Sequence, residues 1–121
     1  DVFVTHCWAE GIYEFIDRVE SSWPSGARGA YVCFLSNPQN LDIGSLIARP
    51  SESPFALALR SSSMVLVLPN SKVSIYTRLW CVYEAFLAYS WGKTIKTAKL
   101  NLGFRLHLLR MTCLRLDHNT P

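Results

Sequence analysis

No run of eighteen apolar residues occurs anywhere in this 121-residue chain, which argues against a transmembrane helix. No Cys-x-x-Cys pair occurs, and no His cluster lies near Cys7, Cys33, Cys81 or Cys113, so the common zinc spacings are missing. Neither early strand-like run is followed by Gly-x-Gly-x-x-Gly, which removes the ordinary dinucleotide fingerprint. There is no Gly-x-Ser-x-Gly elbow and no paired metal-ligand motif. Internal repeats and low-complexity tracts are missing too. Charge is scarce at 17% of residues while 50% are hydrophobic, a balance that suits one domain with a real core and not a disordered chain.

The net charge of +3 is unevenly placed. Residues 1–98 hold eight acidic and eight basic side chains, so that body has no basic excess of the kind nucleic-acid binding requires. The surplus sits in residues 99–121, where Lys99, Arg105, Arg110 and Arg115 face Asp117 alone. The widely spaced cysteines read as reduced thiols, which points to a cytoplasmic setting. The chain opens at Asp1 inside a strand-like run, with no signal peptide, and reads as a domain excised from a longer protein.

Strands and helices alternate along the body. Asp1–His6 predicts a short buried strand, and 11–23 an amphipathic helix with Ile12, Phe15, Ile16, Val19 and Trp23 inward and Glu14, Asp17, Arg18 and Glu20 outward. Ala30–Leu35 reads as a strand covered on both faces. Turn residues 36–40 follow, then a short helix over 41–48, then a loop over 49–54 whose two prolines oppose regular structure. A helix over 55–60, a strand over 64–68, a helix from Thr77 to about Trp91 and a short strand over 93–98 complete the body. Such alternation, with right-handed crossovers, predicts a parallel sheet with helices on both faces in three α/β/α layers. Leu102, Leu106, Leu109 and Cys113 share a helical face, so 99–121 reads first as the last helix of the domain. A basic amphipathic surface segment and a divergent end are the other readings.

The helix starting near Thr77, its expected N-cap, organises the rest. Leu79, Tyr83, Phe86 and Leu87 recur at the spacing of one buried stripe, and Gly92 and Lys93 suit its C-terminal end. Glu84 is the misfit, because none of its helical neighbours is a cation. A carboxylate among apolar groups needs a partner, a raised pKa or a wet cleft. Three readings stand: a side chain reaching water or a remote Arg, a structural hydrogen bond to a loop amide, and a functional carboxylate at a cleft rim. A helix that follows a strand opens at the carboxyl edge of a parallel sheet, where such folds bind ligands.

Two stretches carry a family resemblance over residues 1–98. Trp80-Cys81-Val82-Tyr83-Glu84, after a strand ending Val-Leu-Pro, resembles the Trp-Cys-x-x-Glu signature of Toll/interleukin-receptor (TIR) domains. Asp1-Val2-Phe3-Val4-Thr5 resembles their first strand, with Thr5 where the family usually has Ser. The family's Arg-Asp-x-x-Pro-Gly type loop motif is absent, and the loop after the second strand is longer, which reads equally as a lid or as a surface excursion. The resemblance implies a flavodoxin-like open sheet. It further implies a signalling domain that cleaves the nicotinamide–ribose bond of NAD with Glu84 as the catalytic carboxylate and no cofactor. Trp8, His6 and Trp80 are the residues expected to line the nucleotide cleft, each against a plainer reading: a core cap for Trp8, a structural hydrogen-bonder for His6 and core packing for Trp80. Glu10 reads as a helix-start carboxylate, and Ser62 and Ser63 lie at the strand entrance, away from the cleft. The family also implies an alternative, a non-enzymatic module acting by homotypic self-association, and an accidental match leaves a plain α/β ligand-binding domain.

Overall fold

A computed structural model describes residues 1–7, 11–36, 44, 48–69 and 73–99. Strand β1, Val2–His6, is an inner strand of the sheet, and all five of its residues are buried. Apolar side chains on both faces allow it to be covered from both sides. It pairs in parallel with β2, Ala30–Val32, on one side and with β3, Met64–Leu68, on the other. β3 pairs in parallel with β4, Thr94–Thr97, so the strand order is β2-β1-β3-β4. This all-parallel arrangement is the parallel α/β sheet expected from the alternation, and its strand order is flavodoxin-like.

Helix α1, Ile12–Ser21, covers one face, where Val2, Val4, Phe15, Leu66 and Leu68 form a core cluster. Its contact line is rotated from the expected one. Phe15 and Arg18 are buried, while Ile12, Ile16 and Trp23 remain exposed. Arg18, expected to face solvent, is 2% exposed. Its guanidinium bonds Glu14 one turn earlier, and its long apolar stem can lie against the sheet.

β2 is three residues long, not six, and its first residue is exposed, as an edge strand permits. Cys33–Ser36 forms a short helix, α2, in place of the expected strand end. The Val32 amide bonds Ser36 Oγ at 3.4 Å, and Phe34 turns under α1 against Phe15. A 3₁₀ turn at Pro50–Glu52 and helix α3, Pro54–Ser61, use the two prolines as helix starters instead of being broken by them. Ser53 caps α3 by accepting from the Ala56 amide.

After β3 a 3₁₀ turn, Ile75–Thr77, leads into helix α4, Leu79–Ser90. Thr77 does not cap α4: its hydroxyl donates to the Ser74 carbonyl, and Arg78 takes the N-cap position without capping the helix through its side chain. Gly92, at φ 62°, ends the helix. The Lys93 and Gly92 amides bond the Ala88 and Tyr89 carbonyls, which is the Schellman arrangement. The Lys93 ammonium serves a different helix from the one expected, donating to the carbonyls of Arg60 and Ser62 at the end of α3 at 2.7 and 2.6 Å. Helices α3 and α4 pack on the face opposite α1 through Ala56, Leu59, Cys81, Leu87 and Ala88 against Phe3 and Val65. Among the described residues no helix is long and apolar enough to cross a membrane. The helix expected over 41–48, apart from residues 44 and 48, and the segment 100–121 lie outside the described residues.

Candidate functional site

The chain leaves β1 through α1 toward β2 and leaves β3 through α4 toward β4. These departures in opposite directions make the carboxyl ends of β1 and β3 the topological switch point, the place where folds of this strand order bind ligands in a crevice. Side chains of a strand alternate between faces. Phe3 and Cys7 belong to the α3/α4 face, and Val2 and Val4 to the α1 face. Thr5, in register with Val67, therefore points at the helices that follow β2 and β3.

Glu84 meets it there. Helix α4 turns Cys81, Glu84, Leu87 and Ala88 toward the sheet. The expected stripe is corrected accordingly: Leu79 is 82% and Phe86 62% exposed, Tyr83 is half-buried, and Leu87 alone of the four is buried. Residues at 81, 84, 87 and 88 keep helical spacing, but the buried line passes through the carboxylate. Glu84 is 8% exposed, and Thr5 Oγ1 donates to its Oε2 at 2.6 Å. Loss of hydration pushes the Glu84 pKa up to about 7, against the opposing pull of the Thr5 hydrogen bond and the Arg78 charge. The carboxyl is thus poised to exchange its proton near neutrality.

The surrounding thiols share this environment. Cys81 is buried, and its sulfur lies 3.6 Å from the His6 carbonyl oxygen. Burial, then the nearby Glu84 charge, push the thiols of Cys81 and Cys33 up, Cys33 to about 11. Both are therefore poor nucleophiles. Cys7, Cys33 and Cys81 are free thiols. Among the described residues no group of His, Cys, Asp or Glu side chains is arranged to hold a metal ion.

The rings of two other expected cleft residues, His6 and Trp80, pack against other elements of the fold. His6 packs edge-on to Phe15 and Phe34, which places its ring on the α1 face, opposite Thr5. Burial, helped by Arg78, lowers its pKa to about 4, so the ring is neutral at physiological pH. Trp80 stacks on Phe55 of α3 with ring centroids 5.2 Å apart and meets Tyr83 edge-on, a seam between two helices. Trp8 and Glu10 lie outside the described residues.

Two residues of the site went unassigned in the sequence. Thr5 was visible as the one hydroxyl in a strand of apolar residues, and the two-residue period put it on the face of Phe3. Arg78 supplies the remote positive charge foreseen in one reading of Glu84, from six residues before it, beyond helical-neighbour range. An open depression of about 450 Å³ lies at the amino end of the strands, lined by Asp1, Gly29, Ser61 and Ser62 among others. It contains none of the expected cleft residues. No family model, curated protein or solved structure matches the chain.

Proposed function

We propose that this chain is a TIR-like signalling domain that cleaves the bond between nicotinamide and ribose in NAD, with Glu84 as the reacting-centre carboxylate. The observation that carries the reading is one buried carboxyl, held by Thr5, at the carboxyl edge beside the β1–β3 crevice. The chemistry suits a lone carboxylate. The C1′–N bond breaks and its electron pair leaves with nicotinamide, which turns from a cation into a neutral base. The ribosyl C1′ becomes oxocarbenium-like, takes hydroxide from water and releases a proton. The ionised Glu84 stabilises the positive charge developing at C1′ and holds the ribose hydroxyls. The departing ring needs no general acid, so a second carboxyl is not called for, and no cofactor takes part. Arg78 favours the ionised form of Glu84. The free thiols Cys7, Cys33 and Cys81 fit a cytoplasmic setting.

The test is nicotinamide release from NAD by concentrated protein, wild type beside Glu84→Gln. Loss of a preorganised charge costs about 100- to 1000-fold in rate. Equal release from both proteins, with circular dichroism unchanged, refutes the assignment.

A second reading rests on a separate observation. Leu79, Val82, Phe86 and Tyr89 form an exposed apolar stripe along α4. This stripe supports a homotypic self-association module, with Glu84 as a structural hydrogen-bond acceptor. Concentration-dependent assembly with no nucleotide consumed, even under crowding, favours that module over the enzyme.

A further inference from the structure

We infer that Thr5 is the positioning residue for Glu84: its hydroxyl fixes Oε2 and thereby aims Oε1 into the crevice between the carboxyl ends of β1 and β3. The inference rests on the reading of Glu84 as the reacting carboxylate.

Three observations lead to it. The Thr5 side chain is itself buried, at 4% exposure, and it belongs to an inner strand. A β-branched residue in a strand has little rotational freedom at χ1, so the hydroxyl is held by the sheet and not by a mobile loop. That hydroxyl bonds one of the two carboxyl oxygens, Oε2, across 79 residues of sequence. Among the described residues Oε1 has no hydrogen bond. It is therefore the oxygen that the Thr5 bond leaves open to a second partner. A carboxylate pinned at one oxygen presents the other in one orientation, which is what charge stabilisation at a fixed C1′ demands.

Donation from Thr5 also favours the ionised carboxylate. The other groups acting on Glu84 come from several elements. Arg78, at the start of α4, favours ionisation. Cys81 on α4 and Cys33 on α2 are neutral thiols, their pKa values held up by burial and by the Glu84 charge. On β1 and just beyond it, His6 faces the other side of the sheet, and Cys7 shares a buried cluster with Cys81. Thr5 is the hydrogen-bond donor among these contacts, so removing its hydroxyl weakens the ionised form without removing a charge.

The experiment compares wild type with Thr5→Val, which keeps the branched shape, and Thr5→Ser, which keeps the hydroxyl. Nicotinamide release is followed from pH 5.5 to 9, and the Glu84 carboxyl carbon is titrated by NMR in the same proteins. Thr5→Val is expected to lower kcat at pH 7 roughly tenfold or more, the loss of one charge-assisted hydrogen bond. KM should stay within about twofold, with the acid limb and the Glu84 midpoint moving up together by about one pH unit. Thr5→Ser should restore both. A Thr5→Val profile that superimposes on wild type overturns the inference, as does a Thr5→Ser variant impaired as much as Thr5→Val. If wild type releases no nicotinamide, the enzyme reading fails. The carboxyl titration then decides Thr5 alone, since an unmoved midpoint in Thr5→Val shows that the hydroxyl does not control Glu84.

Discussion

Replacing Glu84 with Gln should stabilise the protein above neutrality and leave it unchanged in acid. The pKa of Glu84 rises from 4.5 to about 7 on folding. Between those values the fold keeps a proton that the unfolded chain releases, so stability falls as pH rises through that window. At about 1.4 kcal/mol per pH unit, the loss is on the order of 3 kcal/mol by pH 7. His6 runs the other way. Its pKa falls from 6.5 to about 4 on folding, so the unfolded chain binds the proton first and stability rises between pH 4 and 6.5. The two slopes oppose each other from pH 4.5 to 6.5, and the wild-type profile flattens there. Gln cannot ionise, yet its carbonyl can accept the Thr5 hydroxyl as Oε2 does. Urea unfolding of wild type and Glu84→Gln at pH 4.5, 6 and 7.5 therefore isolates the carboxyl, because groups common to both proteins cancel. The difference should be near zero at pH 4.5 and grow to about 2–3 kcal/mol in favour of the variant at pH 7.5. The variant alone should lose stability on acidification, exposing His6. A difference that is constant across pH refutes the burial of Glu84 as an ionisable group.

Two packing predictions accompany it. Trp80 is half-buried against Phe55, so Trp80→Ala should cost about 2–3 kcal/mol, below the range for a fully buried Trp. Combined with Phe55→Ala in a double-mutant cycle, it should show a coupling of about 0.5–1.5 kcal/mol, and strict additivity would mean the rings do not stack. Lys93→Met keeps the apolar stem but removes one charged donor group and its two hydrogen bonds from the end of α3, and should cost about 1–2 kcal/mol in urea unfolding. An unchanged midpoint would show that the ammonium is free in solution.

The sheet was legible because its signal is short-range. Val2–Val4 and Val65–Leu68 are apolar runs too short for helices, and alternation with helical segments leaves few topologies besides a parallel sheet. Element rotation was not legible. Periodicity locates an apolar stripe, but α1 and α4 each carry more apolar residues than one face can bury. Which line meets the sheet is then decided by tertiary packing. In α1 the choice fell on Phe15 and Arg18, because a guanidinium can be paired one turn away while its stem fills apolar space. In α4 it fell on Cys81, Glu84 and Ala88. The partner of Glu84 sits on a strand 79 positions earlier, a distance no helical-neighbour rule spans. Its identity follows only once the strand order places β1 beside β3.

Helix α4 has its polarity reversed for a surface helix. Glu84 is its one Asp, Glu, Lys or Arg, and that side chain faces inward, while Leu79, Phe86 and Tyr89 face out. Local rules predict the opposite on both faces, since charges solvate a surface and apolar groups fill a core. A sequence selected for stability alone has no reason to keep either half of that reversal. The inner half costs free energy through desolvation of the carboxyl, and the outer half leaves apolar area in water. The two proposed functions each account for one half, the carboxylate chemistry for Glu84 and the self-association for the exposed stripe. They are also mechanically joined, because covering the outer stripe would restrain the same helix that carries Glu84 toward Thr5. Activity and assembly are thus expected to rise together with protein concentration. A variant such as Phe86→Lys separates them: lost assembly with undiminished nicotinamide release per chain would show that the two faces of α4 act independently.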